Sequence, residues 1–260
     1  MVLFFDIDGT IIDEKTLIIP DSTVKAIAAL AAAGHKPIIN TGRPYSHIDP
    51  RVREMAFAGW VCSCGMEVFV DGQWLQKRRL APDVQAYVIE TARACNMHPI
   101  YEAVGGFLLD GAHSDTERIH FESKRIEKWG CFAKQLDGAT EQIIKFVTFD
   151  DVHSRHAEFV EKMQAHFTCI ERGGGMVEYV AKGCSKASGV QQLLAHLGAQ
   201  KEDTFAFGDS TNDVSMFRAV GHGICMGGGM EEAKAQAEFV TAPVLEDGIE
   251  KALQHYGLID

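Results

Sequence analysis

Apolar residues fall along this chain in two arrangements. Short apolar runs occupy 2–5, 37–39, 204–207 and 223–226, and each gives way to a polar or glycine-containing loop. Runs this short and this apolar suit strands covered on both faces, as in a parallel sheet. Between them the apolar positions recur every three or four residues. Val24, Ile27, Ala28 and Ala31 follow the helix-start signal Pro20-Asp21-Ser22 and end before Gly34. Val190, Leu193, Leu194 and Leu197 end before Gly198, and Ile249, Ala252, Leu253 and Tyr256 form a last stripe. Both ends of the chain therefore read as strand–helix–strand, the pattern of a doubly wound α/β domain. A helix is expected to begin near Asn212 or Asp213.

The middle of the chain reads differently. Asp83 can cap a helix carrying Val84, Tyr87, Val88 and Thr91. The runs 99–104 and 107–109 flank Gly105-Gly106, a two-residue hairpin turn, and 168–171 and 176–180 flank the glycine triplet at 173–175. A strand is expected at 143–149 and a helix over 156–167. Hairpins mean antiparallel pairing, so the middle is expected to be a separate α+β domain inserted into the first. The boundaries predicted are 1–81, 82–183 and 184–260, with joints near Ala81-Pro82 and Lys182-Gly183.

The chain has 260 residues, enough for one large domain or two modest ones. A net charge of −11 would repel nucleic-acid phosphates and anionic membranes, so neither is expected as a partner, and no stretch is apolar enough to span a bilayer. A phosphorylated substrate stays compatible, because local cations or a metal can reverse the field inside one pocket. The seven cysteines are an odd, scattered set, which points to thiols in a reducing compartment and a cytoplasmic address. Cys62-x-Cys64 lacks a second pair at zinc-site spacing.

The candidate chemistry sits at the ends of the apolar runs. In Asp6-Ile7-Asp8-Gly9-Thr10, two carboxylates at i and i+2 point the same way where open α/β sheets bind ligands. Such a pair suits a hard cation such as Mg²⁺, although the motif alone also reads as a capped strand-end turn. Asp209 ends a second run in Gly208-Asp209-Ser210-Thr211-Asn212-Asp213, and Asp213 is expected one helical turn beyond, where the two could complete a metal site. Thr41 and the backbone N–H groups around Gly42 could bind a phosphate oxygen, though a strand-end threonine is commonly only a turn former. Lys186 opens the 190–197 helix, where it opposes the helix dipole. It is there either as a solvated surface lysine or because it faces an anionic site.

Taken together, DIDGT at 6–10, the Thr41 strand end, Lys186 and GDSTND at 208–213 resemble the four ordered motifs of the haloacid dehalogenase superfamily. The large insertion between the second and third motifs, INTGRP at 39–44 and Glu246-Asp247-Gly248 are similar to its Cof-type (class IIB) branch. The resemblance implies a Rossmann-like core with an α+β cap that covers the site and selects the substrate. It implies a Mg²⁺-dependent phosphatase in which Asp6 is the nucleophile that becomes an aspartyl phosphate. Asp8 would be the acid and base and lend its backbone carbonyl to Mg²⁺, with Asp209 and Asp213 completing the metal site. Thr41, Gly42, Lys186 and Asn212 would hold the phosphate. Substrates so implied are sugar phosphates or related metabolites, with flavin or pyridoxal phosphates open. The chain departs from the pattern at Cys64-Gly65, where the family often has Asn-Gly, and at Gly228, where it often has asparagine. A phosphomutase on the same scaffold and a non-catalytic phosphate-binding module are the alternatives. A Rossmann-type nucleotide-binding protein is disfavoured, because no G-x-G-x-x-G follows the first strand.

Overall fold

In the computed structural model, which describes residues 1–127, 131–136 and 142–260, the chain divides into two compact units. The first comprises 1–42, 50–77 and 184–260, the second 43–49 and 78–183.

The first unit is built on an eight-stranded sheet. Its order is Phe239–Val240, His222–Cys225, Thr204–Gly208, Val2–Phe5, Lys36–Asn40, Gly59–Cys62, Glu67–Val70 and Gln73–Lys77. The first six strands are parallel, and the last two extend the sheet antiparallel. Every residue of Val2–Phe5 is buried. Val2 and Phe4 join a cluster with Ile38, Val61, Val190, Leu193 and Met216, while Leu3 and Phe5 alternate to the other face and are fully covered. That two-sided burial is what the unbroken apolar run signalled. From Val2–Phe5 the chain winds one way to Lys36–Asn40 and later the other way from Thr204–Gly208, so the ends of these strands form the topological switch where such sheets bind ligands.

The second unit carries a six-stranded sheet ordered Phe167–Gly173, Met176–Ala181, Ile143–Phe149, His98–Ala103, Gly106–Leu109 and Ala133–Gln135. All pairs are antiparallel except the last. One face packs Tyr101, Phe146 and Tyr179 against Val88 and Ala92 of the helix Pro82–Ala94 and Phe159 and Met163 of the helix His156–Met163. The other face packs Ile100, Phe107 and Val147 against Ile119 and Ile126 of the helix Glu117–Glu127.

Several details differ from the sequence expectation. The first hairpin turns at Val104-Gly105, because Ala103 already pairs with Gly106. The second turns on Gly174-Gly175, both at positive φ, as the tight two-residue turn requires. The helix from His156 ends at Met163 and Phe167 opens a strand, so the apolar stripe crosses an element boundary. The units divide after Lys77, five residues before Pro82. The intervening stretch belongs with the second sheet: the Leu80 N–H donates to the Ile143 carbonyl and Arg78 donates to the Lys182 carbonyl. The short segment 43–49 also packs in the second unit, where the buried His47 ring stacks on Phe107 at 3.9 Å.

Candidate active site

Asp6 follows Val2–Phe5 directly, and its N–H donates to the Phe207 carbonyl of the neighbouring strand at 3.0 Å. The chain then turns back on itself. The N–H groups of Thr10, Ile11 and Ile12 all converge on the Ile7 carbonyl, and Gly9 donates to Ile12. Gly9 sits at φ +72°, and a Cβ there would lie 2.3 Å from an oxygen of Asp209. Only glycine lets the first motif approach the fourth so closely. Asp8 is half-buried, and the Thr10 hydroxyl is buried without a hydrogen-bond partner among the described residues.

The fourth motif is a turn and not the helical face anticipated for Asp209 and Asp213. The helix begins only at Val214. Asp213 lies before it and bends back, so that one carboxylate oxygen accepts from the N–H groups of Asp209 and Ser210, each at 3.0 Å. Gly208 is needed for this, because a Cβ there would meet the Asp213 carboxylate at 2.4 Å. The Asn212 side-chain oxygen accepts from the Ser210 hydroxyl at 2.6 Å.

Lys186 is the first residue of the helix Lys186–Leu197, whose N-cap is a reciprocal capping box between Ser185 and Ser188. The lysine is not a surface residue: it is 2% exposed. Its ammonium lies 2.7 Å from an Asp6 oxygen and 2.5 Å from Asp213 Oδ1. Asn40 donates to the Lys186 carbonyl at 3.1 Å, which ties the helix start to the end of the second strand. The helix is drawn in closely because Gly189 and Gly65 leave room; a Cβ on Gly65 would lie 2.5 Å from the Ser185 carbonyl. Next to it Cys64 takes the left-handed conformation (φ 54°, ψ 45°), and its N–H donates to the Thr41 carbonyl at 3.1 Å. Thr41 is buried and its own N–H donates to Val61.

The three carboxylates of Asp6, Asp209 and Asp213 can each place an oxygen within 4.8 Å of the others. Their electrostatics are unbalanced. Burial pushes the Asp6 carboxyl up to about 7, with Lys186 opposing and Asp213 and Asp8 adding to the rise. Burial, then Asp6 and Asp213, push Asp209 up to about 8. Burial works against the charge on Lys186, but Asp213 and Asp6 outweigh it and hold the ammonium above the usual lysine range. One lysine among three carboxylates leaves negative charge in excess, all of it on hard oxygen donors. Those residues fit a divalent cation of the Mg²⁺ type.

The structure therefore bonds Lys186 to Asp6 and Asp213 and brings the Asp209 carboxylate within 4.8 Å of those two, with Asp8 close enough to act on Asp6. Ser210 and Asn40, which hold Asp213 and Lys186, were not singled out by sequence. Both lie inside the quoted stretches 39–44 and 208–213, but without a role of their own.

A model of the haloacid dehalogenase-like hydrolases matches residues 3–253. The 5-amino-6-(5-phospho-D-ribitylamino)uracil phosphatase YitU of Bacillus subtilis (strain 168) is 26% identical over 272 residues, spanning 98% of this chain and 97% of its own. The HMP-PP phosphatase of Serratia proteamaculans (strain 568) is 27% identical over 248 residues, 89% of this chain and 85% of its own. Among solved structures, the subclass IIB sugar phosphatase BT4131 superposes with a TM-score of 0.83 at 28% identity over 99% of both chains. Among the described residues no helix is long and apolar enough to cross a membrane. Because the match runs through both core segments and the insertion between them, the chain belongs to the haloacid dehalogenase-like hydrolases, and these full-length relatives are named as phosphatases.

Proposed function

We propose that this protein is a Mg²⁺-dependent phosphatase that hydrolyses small phosphomonoesters through an aspartyl phosphate on Asp6. The observation that carries this reading is the Lys186–Asp6 contact at 2.7 Å inside a cluster of three carboxylates at adjacent strand ends. Asp6, Asp209, Asp213 and the backbone carbonyl of Asp8 would hold the cation. When bound, the cation offsets the charge of the carboxylates and of the phosphoryl oxygens. In the first step a free Asp6 oxygen bonds to phosphorus and the ester P–O bond breaks. The departing alkoxide takes its proton from Asp8. In the second step Asp8 removes a proton from water, the water oxygen bonds to phosphorus, and the bond to Asp6 breaks. Inorganic phosphate leaves and the Asp6 carboxylate is restored. Lys186, the Thr41 hydroxyl, the Gly42 N–H and the Asn212 amide would bind the phosphoryl oxygens and stabilise charge developing there. Asp213 has a second task, since it fixes both Lys186 and the 209–210 backbone. The relatives named above support a small phosphorylated metabolite as substrate, and the absence of any disulfide among the seven cysteines fits a cytoplasmic address.

The test is release of inorganic phosphate from a panel of phosphomonoesters, with and without Mg²⁺, beside Asp6→Asn. Metal-dependent release that the variant lacks is the expected result. Equal release by the variant would overturn the role of Asp6.

A further inference from the structure

Asn40 is the last residue of the strand Lys36–Asn40, and its side chain is fully buried. The pairing of that strand with Val2–Phe5 sets Phe5 opposite Ile39, so Asp6 and Asn40 are the next residues of two adjacent parallel strands. Side chains two apart along a strand share a face. Phe4 and Ile38 both pack in the cluster that holds Val190 and Leu193 of the helix Lys186–Leu197. Asp6 and Asn40 therefore face the start of that helix, and the contacts agree. Asn40 Nδ2 donates to the Lys186 carbonyl at 3.1 Å, and an Asp6 oxygen lies 2.7 Å from the Lys186 ammonium. One side chain holds the root of the lysine and the other holds its tip.

As a stabilising device the Asn40 amide is a poor choice. A carbonyl in the first turn of a helix already has its intrahelical donor, because only N–H groups are left over at that end. The N–H end has its own cap in Ser185 and Ser188. Asn40 Oδ1 is buried with no hydrogen-bond partner among the described residues, and an unsatisfied buried acceptor is destabilising. A leucine of similar size would leave nothing unpaired. What the amide does add is a fixed distance between the end of the second strand and the backbone of Lys186. The ammonium at the other end of that side chain is shared between Asp6 and Asp213. Placement there is critical, since a shift of about 1 Å in a reacting or charge-stabilising group can lower a rate on the order of 10²-fold.

We propose that Asn40 is a positioning residue, whose amide fixes the backbone root of Lys186 so that the ammonium meets a phosphoryl oxygen bound beside Asp6. In this role Asn40 acts through Lys186 and not on the phosphoryl group itself. This rests on the phosphatase reading above.

The experiment is a double-mutant cycle in the full chain with Mg²⁺ present, over the unaltered protein, Asn40→Leu, Lys186→Met and the double variant. Each is read for kcat/KM on phenyl phosphate, for the Kd of inorganic phosphate by calorimetric titration, and for melting temperature. Asn40→Leu is expected to lower kcat/KM by about 10- to 100-fold and to weaken phosphate binding by about 10-fold, with the melting temperature unchanged or higher. In the Lys186→Met background the same substitution is expected to change both by less than about threefold. An equal loss in both backgrounds shows that Asn40 does not act through Lys186 and overturns the proposal. No loss in either overturns it too, as does a loss of activity that only follows a fall in melting temperature. Should Asn40→Leu fail to fold, Asn40→Ala is read in the same cycle. If the unaltered protein releases phosphate from no ester, the phosphatase reading fails by itself, and the Kd of inorganic phosphate decides the proposal. Weakening confined to the background that keeps Lys186 supports it, and equal weakening, no weakening or no phosphate binding at all overturns it.

Discussion

Each unit of this protein buries one lysine between two carboxylates, and the two arrangements have opposite electrostatic outcomes. In the first unit Lys186 contacts Asp6 and Asp213 at 2.7 and 2.5 Å. In the second, Lys145 contacts Glu102 and Glu178 at 2.8 and 2.6 Å. The geometry is nearly the same, but the count of charges is not. Asp209 and Asp8 add negative charge around Lys186, and Asp6 and Asp209 are pushed up to about 7 and about 8. Arg172 adds a second cation beside Lys145. Although burial raises Glu178, Lys145 and Arg172 outweigh it and bring its carboxyl down to about 2. The first cluster is short of positive charge and suited to take up a cation. The second, with two cations to two carboxylates, is close to neutral. Distance alone would not have told them apart.

The sharpest way to break this comparison is at Asp6. Asp6→Asn is expected to lower phosphate release by on the order of 10⁴-fold or more for every ester, because the proposed nucleophile would act on all of them. Steady-state kinetics on one panel of esters reads the loss. Next in size is the metal requirement. Asp209→Ala should raise the Mg²⁺ concentration for half-maximal activity by about 10- to 100-fold, read from a metal titration. An unchanged titration would remove Asp209 from the proposed metal site.

The two lysines can then be compared directly. Removing one partner of a buried ion pair is destabilising by about 3–5 kcal/mol. Lys186→Met should lower the melting temperature, and Mg²⁺ should restore part of the loss, since the cation replaces the missing charge. Lys145→Met should also lower it, with no recovery on adding Mg²⁺. Equal recovery in both variants would show that the charge imbalance is not what separates the clusters.

The smallest effect is a pH dependence. The Glu178 carboxyl is held below its ordinary value of 4.5 in the folded protein. A depressed carboxyl contributes stability that is fully present above the unfolded pKa and is lost as pH falls through the folded one. Glu178 thus contributes above about pH 4.5, and the contribution disappears toward about pH 2, with a size on the order of 3 kcal/mol at most. Glu102 is shifted the other way, chiefly by burial, and partly offsets this. Denaturant unfolding between pH 5 and pH 2.5 should show a flatter slope for Glu178→Gln than for the unaltered protein.

Much of the first unit was legible in the order of residues. A run such as Val2–Phe5, short, unbroken and ended by a carboxylate, suits a strand covered on both sides. Local pattern set Asp6 and Asp209 at the ends of short apolar strands, and a parallel sheet gathers such ends on one edge, but it left Lys186, which opens a helix, undecided between the surface and an anionic site. The antiparallel extension Glu67–Lys77 escaped notice because its strands are short and its edge is partly exposed. Asp213 was assigned to a helix face by spacing. The turn that bends it back depends on Gly208 yielding space, which is a contact and not a periodicity. The buried cluster of the second unit was invisible for a plainer reason: Lys145 lies 43 residues from Glu102 and 33 from Glu178, on three different strands. No local window joins them, and only the pairing register does.

The sequence by itself determined the class of fold, the insertion of an α+β domain into a doubly wound core and the ordered motifs, because all of these are written in spacing along one chain. Tertiary structure alone decided that Lys186 is buried between two carboxylates, that Asp213 serves as an organising residue, that 43–49 packs with the second unit, and that Lys145 is buried between Glu102 and Glu178. Those are matters of burial and of charge counted in space, and both arise only when strands distant in the chain are brought side by side.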